Sequence, residues 1–490
     1  MDNRGLTLPG EMVGIRDIPV LELTRFREEL SDGIRGGEWL ASLSAIPVGG
    51  IPHLLAVMVE PRVGRLHLIM TRPGKRYPTL SGEVPQAHRF EREIFEQWGI
   101  VPEGHQWLKP LRFNRPGDRP GVADFLVVEG GDVHEVAVGP VHAGIIEPGH
   151  FRFQCHGETV MHLEMALGYQ HRGVEKALTG GPSIRSLSVM ETIAGDTTIG
   201  HASAYAQLME TLSGISVPPR AQALRAVALE LERMANHTGD LGAMASDVAY
   251  LPTASYCGRL RGDFLNLTAL ICGSRFGRGM VLPGGVRFDM EKERTELLLA
   301  RLADTIRDFG EATNLLWDSS SVAARFERTG QIGKKAALDI GLVGPSARAS
   351  GVPRDVRFEC PSGWYREVPM LPAIEQAGDV MARARVRWQE VHHSAVFVRQ
   401  VLGGLPDGPI REGAGSLQAD AVAVSLVEGW RGAICHVAVT DSMGRFASYK
   451  VVDPSFHNWS GLAWAMRDGQ ISDFPLCNKS FNHSYCGHDL

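Results

Sequence analysis

The segment Gly168-Tyr-Gln-His-Arg-Gly-Val-Glu-Lys176 sets His171, Arg172, Glu175 and Lys176 within six residues of one another. On a helix, side chains three and four positions apart share a face, so His171 and Arg172 can meet Glu175. Taken alone, this spacing describes a solvated helix start whose ion pairs contribute roughly a few tenths of a kcal/mol. Other segments of the same character stand on either side of it. Gly139-Pro-Val-His142 and Glu147-Pro-Gly-His-Phe-Arg152 precede it. Leu229-Glu-Leu-Glu-Arg-Met-Ala-Asn-His237, Gly344-Pro-Ser-Ala-Arg-Ala-Ser-Gly351 and Pro454-Ser-Phe456 follow it. All gather His, Arg, Glu and Gly more densely than core packing requires.

Around these segments the chain reads as α+β. Its 490 residues, 44% hydrophobic and 22% charged, are enough for two or three globular domains. Residues 19–115 form a small α+β unit, with β-prone runs at 39–43, 54–59 and 66–70 and an amphipathic helix at 87–98. Asn114-Arg-Pro-Gly-Asp-Arg-Pro-Gly121 cannot continue a helix or a central strand and opens a linker over 114–134. Residues 135–490 read as a helical bundle with small peripheral sheets. Strands are expected near 151–155 and 159–163, and again at 421–427, 433–440 and 446–452. Leu224, Val227, Leu231 and Met234 give residues 219–237 one apolar helical face. Long helices are expected at 291–317 and 371–401, joined by a Gly/Pro-rich connector at 341–353.

Several functions are excluded at this point. Fifty basic against 56 acidic residues, a net charge of −6, create no field that would draw nucleic acid. The longest apolar run, residues 54–59, is far below the roughly 20 residues of a membrane span. The chain's start lacks the basic and then apolar regions of a secretory signal, so a cytoplasmic protein is expected. No pair among the seven cysteines has Cys-x-x-Cys spacing, which leaves no thiolate set for an iron–sulfur cluster. Gly284-Gly285 and Gly403-Gly404 read as turns, not as the Gly-rich loop of a flavin or nicotinamide site.

The ordered series resembles the signature shared by the 49-kDa subunit of respiratory complex I and the large subunit of membrane-bound group 4 nickel–iron hydrogenases. Upstream, Phe90-Glu-Arg-Glu-Ile-Phe95, Trp98-Gly-Ile100 and Gly104-His105 resemble the 30-kDa subunit of complex I. Their order in one chain is similar to the fused large subunit of formate-hydrogenlyase and hydrogenase-4 complexes. The resemblance implies an oxidoreductase subunit, active only within a complex. It brings the NAD-binding and quinone-binding vocabulary of NADH:quinone oxidoreductases with it.

In the hydrogenases, two Cys-x-x-Cys pairs supply four thiolates to nickel and iron, soft ligands that suit a redox-active metal. The resemblance places the early pair at Ala194 and Thr197, where Gly195 and His201 still match, and the late pair at Ser484 and Gly487. The implied large subunit has therefore lost its nickel ligands. A one-residue slip of the late segment would instead align His483 and Cys486, with His488 nearby, as the remnant of an atypical hydrogenase site. The chain's last residue, Leu490, stands where hydrogenases carry a cleavable extension, so no such maturation is expected.

The resemblance also implies roles for other residues. His142 and His150 are candidate proton donors to a quinone, each as readily a loop-bracing histidine, since Ala143 and the loop spacing depart from the complex I pattern. Glu158 matches the glutamate through which hydrogenases pass protons. Arg348 and Asp355 are candidate catalytic groups, and His201, Arg348 and Arg357 would line the old active-site cavity. Glu230, Arg233 and His237 form a polar stripe expected to meet a small iron–sulfur subunit like the 20-kDa chain of complex I. Ferredoxin-like and membrane antiporter-like partners complete the implied assembly, peripheral to the inner membrane. The iron–sulfur cluster would sit in the partner, with room for a quinone, none for nickel, and no cofactor held tightly by this chain. The alternatives are an atypical hydrogenase and a non-catalytic structural subunit.

Overall fold

The computed structural model describes residues 5–113, 118–120, 124–144, 146–413 and 415–490. The linker reading at 114–121 therefore lies, apart from residues 118–120, outside the described residues. Strand β1 (Met12–Gly14) and helix α1 (Leu23–Gly36) open the chain, followed by the antiparallel strands β2 (Trp39–Val48), β3 (Ile51–Glu60) and β4 (Arg65–Thr71). Gly49 and Gly50, both at positive φ, close β2 onto β3 in a two-residue hairpin, a conformation that glycine adopts without steric cost. Leu6–Thr7 and Val20–Leu21 both pair with β4, and helix α2 (His88–Trp98) packs on β2.

A three-stranded meander follows: β5 (Val133–Val138), β6 (His150–His156) and β7 (Thr159–Ala166). The helical part comprises α3 (Thr198–Ser213), α4 (Pro219–Asp247), α5 (Leu251–Cys272) and α6 (Lys292–Trp317), then the short α7 (Gly344–Ala349) and α8 (Val356–Glu359), then α9 (Val380–Gly403). Helix α4 is its axis, packed by α3, α5 and α9 and buried along nearly its whole length. The final sheet has the order β10 (Phe446–Val452), β9 (Gly432–Thr440), β8 (Ala421–Gly429), β1. Helices α10 (Pro454–Ala465) and α11 (Tyr485–Asp489) come last.

Both faces of β8 are covered, which is why its sequence runs apolar instead of alternating with polar residues. Val422, Val424 and Leu426 join the core of the N-terminal unit, while Ala421 and Ala423 pack with Tyr205 and Leu208 of α3. The two units thus share one core, and the N-terminal arm reaches across by pairing β1 with β8. Two expected elements differ. The helix expected from 371 begins at Val380, because the Asp379 carboxylate accepts the Ala382 N–H and fixes the start there. The connector at 341–353 contains α7.

Charges also bridge the units. Lys450 Nζ lies 2.6 Å from Glu93 Oε1 of α2 and 2.8 Å from Glu175 Oε1, and Arg112 also pairs with Glu93. Lys450 and Glu93 are almost fully buried. Lys450→Met leaves two carboxylates to one guanidinium in the interior. A loss of about 3 kcal/mol in unfolding free energy is expected, read from the denaturant midpoint; an unchanged midpoint would refute the pairing.

Candidate functional site

Two buried segments, 192–201 and 482–489, are brought together by side chains from elsewhere in the chain. Thr197 stands at the N-cap of α3, one turn after Ala194, whose carbonyl accepts the Thr197 N–H. Ser484 caps α11, its Oγ accepting the Gly487 N–H at 2.9 Å. Asp453 caps α10 through Oδ1, and its Oδ2 lies 3.1 Å from His201 Nε2. Arg172 donates to the carbonyls of Thr192 and Ile193 on one side and of Cys486 on the other.

The 168–176 signature is a cradle and not a solvated helix start. The N–H groups of Gly168 and Gln170 donate to the Asp489 carboxylate at 2.8 and 2.9 Å, and only Val174–Leu178 is helical.

Between the two segments lies Arg431. It donates to both Asp196 oxygens at 2.6 and 2.7 Å and to the Asn482 carbonyl at 2.6 Å, with its guanidinium 3.9 Å from the Trp430 ring centroid. Burial works against the charge of Asp196, but the Arg431 guanidinium holds it below the usual carboxylate range. The Trp430 indole donates to Thr197 Oγ1, and the Thr197 hydroxyl donates to Asp196.

These groups do not fit a nickel site. Ala194 and Gly487 offer no donor atom, and the Thr197 and Ser484 oxygens are engaged. A Cβ at 487 would stand 2.7 Å from Asp453 Oδ2 and 2.9 Å from Ser484 Oγ, so a cysteine there would displace the cap that binds His201. The alternative set is not assembled either. His483 packs edge-on against Trp459, His488 pairs with Asp489, and burial pushes the Cys486 thiol up to about 11. Among the described residues no three His, Cys, Asp or Glu side chains converge as metal ligands would.

Arg348, Asp355 and Arg357 do come together, with partners that sequence reasoning missed. Arg348 Nε and Nη2 lie 2.9 and 2.7 Å from Glu390 Oε1, and its Nη1 donates to Glu428 Oε1 at 2.7 Å. Arg357 grips Asp355 with two nitrogens and donates to Glu230, which also receives Arg233, Tyr365 Oη and Ser394 Oγ. His237 Nε2 lies 2.8 Å from Glu390 Oε2. The stripe expected to meet a partner is thus fully buried and faces α9, which corrects that reading. Burial lowers His237 to about 4 despite Glu390, and burial likewise raises Glu428. Glu390 stays well below the carboxylate range, since Arg348 and the His237 hydrogen bond outweigh its burial.

The remaining candidates fall apart as a group. His142 lies 2.8 Å from the Gly149 carbonyl and His150 lies 3.2 Å from the Gly139 carbonyl, so each braces the same loop. Glu158 is exposed at the β6–β7 turn. His201, by contrast, heads a buried file: its Nδ1 lies 3.1 Å from His436 Nε2, and His436 Nδ1 lies 2.9 Å from Tyr449 Oη. Asp453, His201, His436 and Tyr449 form a continuous hydrogen-bonded chain able to hold and hand on a proton. The signal for Asp453 was the Asp-Pro-Ser helix start; nothing in the apolar run of β9 singled out His436.

The chain thus joins a small α+β unit to a helical part in which two polar segments are tied to each other through Arg431 and Arg172. Similar proteins specify its class. Residues 42–120 match the 30-kDa subunit, and residues 247–420 the 49-kDa subunit, of the respiratory-chain NADH dehydrogenase. The carbon monoxide-induced hydrogenase of Rhodospirillum rubrum is 30% identical over 352 residues, 71% of this chain and 97% of that protein. Formate hydrogenlyase subunit 5 of Escherichia coli is 29% identical over 434 residues, covering 84% and 76% respectively. NADH-quinone oxidoreductase subunit 4 of Thermus thermophilus is 29% identical over 369 residues, 70% of this chain and 90% of its own length. In fold, the chain matches a subunit of an archaeal membrane-bound sulfane sulfur reductase at TM-score 0.67 and 24% identity, covering 73% and 99%. The chain belongs to the family of complex I 49-kDa subunits and group 4 hydrogenase large subunits, with a 30-kDa-type unit fused in front, and it is an oxidoreductase subunit.

Glu232 supplies a pH test of the site. It accepts the N–H groups of Ile199 and Gly200 at the start of α3, and burial pushes it from 4.5 to about 8 against those hydrogen bonds. Between these values the folded chain keeps a proton that the unfolded chain has released, so this group's contribution to stability falls as pH rises from 4.5 to 8. Unfolding free energies of Glu232→Gln are expected to show a flatter decline across that window than those of the parent. Parallel pH profiles would show that Glu232 is ionised in the fold.

Proposed function

We propose that this chain is the large peripheral subunit of a membrane-associated, complex I-like or hydrogenase-4-like oxidoreductase whose former metal site works without nickel. The observation that carries this reading is the Arg431–Asp196 pair, spanning the two segments at which the family's thiolates stand. Two hydrogen-bonded charges already satisfied by each other leave neither donor atoms nor negative charge for a soft metal. Electrons would reach the chain through an iron–sulfur cluster in a small partner subunit, with ferredoxin-like and antiporter-like subunits linking it to donor and membrane. No helix among the described residues is long and apolar enough to cross a membrane, in keeping with attachment through partners on the cytoplasmic side.

What the chain itself offers such a reaction is proton chemistry. The Asp453–His201–His436–Tyr449 file starts beside the 194–197 and 484–487 positions, where a quinone would take up protons with its electrons. The saturation of Arg348 and Arg357 by carboxylates favours a structural role for both over binding an anion.

The complex purified with its partners is expected to contain iron but nickel far below one atom per chain, and to show no hydrogen-dependent dye reduction. Cys486→Ser should leave metal content and electron flux unchanged. Stoichiometric nickel with hydrogen-dependent dye reduction would overturn the proposal.

A further inference from the structure

A cavity of about 600 Å³ lies between the later turns of α3, the first half of α4, β8 and the turn at Gly363–Arg366, with Pro9 and Gly10 of the N-terminal arm at its rim. It is not the former metal site: Ser203, the first α3 residue to line it, stands six residues beyond Thr197, about 9 Å along the helix. Its volume falls within the range of pockets that enclose small organic molecules.

The wall chemistry restricts what can enter. The buried charged groups of the wall are paired within the fold, while Arg366 and Glu367 line its exposed mouth. Glu210 receives two nitrogens of Arg225 and the Gly284 N–H; Arg357 is held by Asp355 and Glu230; Glu428 receives Arg348 and the Val356 N–H. A charged ligand would lose its hydration without gaining a free counter-charge. Leu229, Val356 and Leu426 contribute apolar side chains to the lining, as does the ring of Trp364. Gln207 is committed, its amide donating to Ser362 and accepting from Ser425.

Two buried polar atoms remain without a partner: Ser203 Oγ, on a side chain only 5% exposed, and Trp364 Nε1. A buried group left unpaired is costly, so their presence in the cavity lining marks a place for a ligand's polar atoms. Indole N–H can only donate, whereas a hydroxyl donates and accepts. The ligand must therefore present an acceptor to Trp364, and an N–H of its own would suit Ser203.

We propose that this cavity binds a neutral ring compound carrying a carboxamide or lactam, its carbonyl oxygen accepting from Trp364 and its N–H or ring edge meeting Ser203. The site is independent of the nickel-free reading above. Its floor is shared with the buried ion network through Arg357 and Glu428, so occupancy would stiffen the packing of α8 against β8.

The test uses the full chain with benzamide as probe and benzoate and benzamidinium as charged counterparts of the same shape. Saturation-transfer NMR titrations should show saturable benzamide binding at least about tenfold tighter than either ion. Trp364→Phe, which keeps the ring and removes the donor, should weaken benzamide about five- to tenfold, as expected for one lost hydrogen bond. Ser203→Ala gives a second reading if the Trp364 variant melts early. Equal binding of the three probes, absent benzamide binding, or an unchanged affinity in whichever variant stays folded would overturn the proposal.

Discussion

Arg348 has no exposure to solvent, and much of the interior follows from keeping it charged there. Burial of a guanidinium costs several kcal/mol unless carboxylates go with it. Glu390, Glu428 and Asp355 all lie within 3.5 Å of it, from three separate elements. Each of those carboxylates needs further donors, which brings in His237 and Arg233 from α4, Arg357 from α8 and the Val356 N–H. The network therefore fixes how α4, α7, α8, α9 and β8 are stacked. An apolar core would tolerate small rotations of these helices, but a hydrogen-bonded one loses a partner with each. Counting Arg233, Arg348 and Arg357 against Glu230, Asp355, Glu390 and Glu428 leaves one carboxylate in excess. Glu428, whose proton affinity burial raises, is the member able to take up that excess as a proton.

The sheets were legible because strands packed on both faces read as apolar runs; the stretches at 421–427, 433–440 and 446–452 recur almost unchanged as β8, β9 and β10. The start of α9 was misplaced because the residues from 371 are compatible with a helix locally, and only the Asp379 cap, with Gly378 at positive φ before it, settles the boundary. Helix α5 was not anticipated at all. Its buried Cys257, Leu260, Phe264, Leu267 and Ile271 recur at spacings of three and four and pack against α4 and α6, a face interrupted in the sequence by Arg259, Arg261 and Asp263.

The functional segments were found by order and density, but their surroundings were not. The polar stripe of α4 was read as a partner-facing surface because Glu, Arg and His at helical spacing usually lie on the outside of a fold. Here every member has a buried counter-charge from a distant part of the chain, and no local pattern signals that. Glu428 and His436 lie in runs otherwise apolar, so periodicity marks them only as buried. Arg431 follows Trp430 at the turn between β8 and β9, where an arginine carries no distinctive signal. Its importance emerges only when Asp196 and Asn482 are seen on either side of it.

Under the proposed reading, more than ligands is missing from this site. Four thiolates around a metal would hold two chain segments together by coordinate bonds, and without them those segments need other ties. In this chain the ties are of three kinds: Arg172 bonds carbonyls of both segments, Asp453 joins His201 to the start of α10, where Ser455 Oγ receives the Ser484 N–H, and Arg431 spans Asp196 and Asn482. Each uses charge-assisted hydrogen bonds, which are directional and satisfied one by one, where a metal would impose all four directions at once. Hydrogen-bonded side chains of this kind carry no redox couple, and titratable groups lie among them. Electron carriers can be supplied by a neighbouring subunit across an interface, whereas a proton must move along atoms within hydrogen-bond reach. The buried file from Asp453 to Tyr449 meets that requirement, which is why, in the proposed reading, proton handling falls to this chain and electron delivery to a partner.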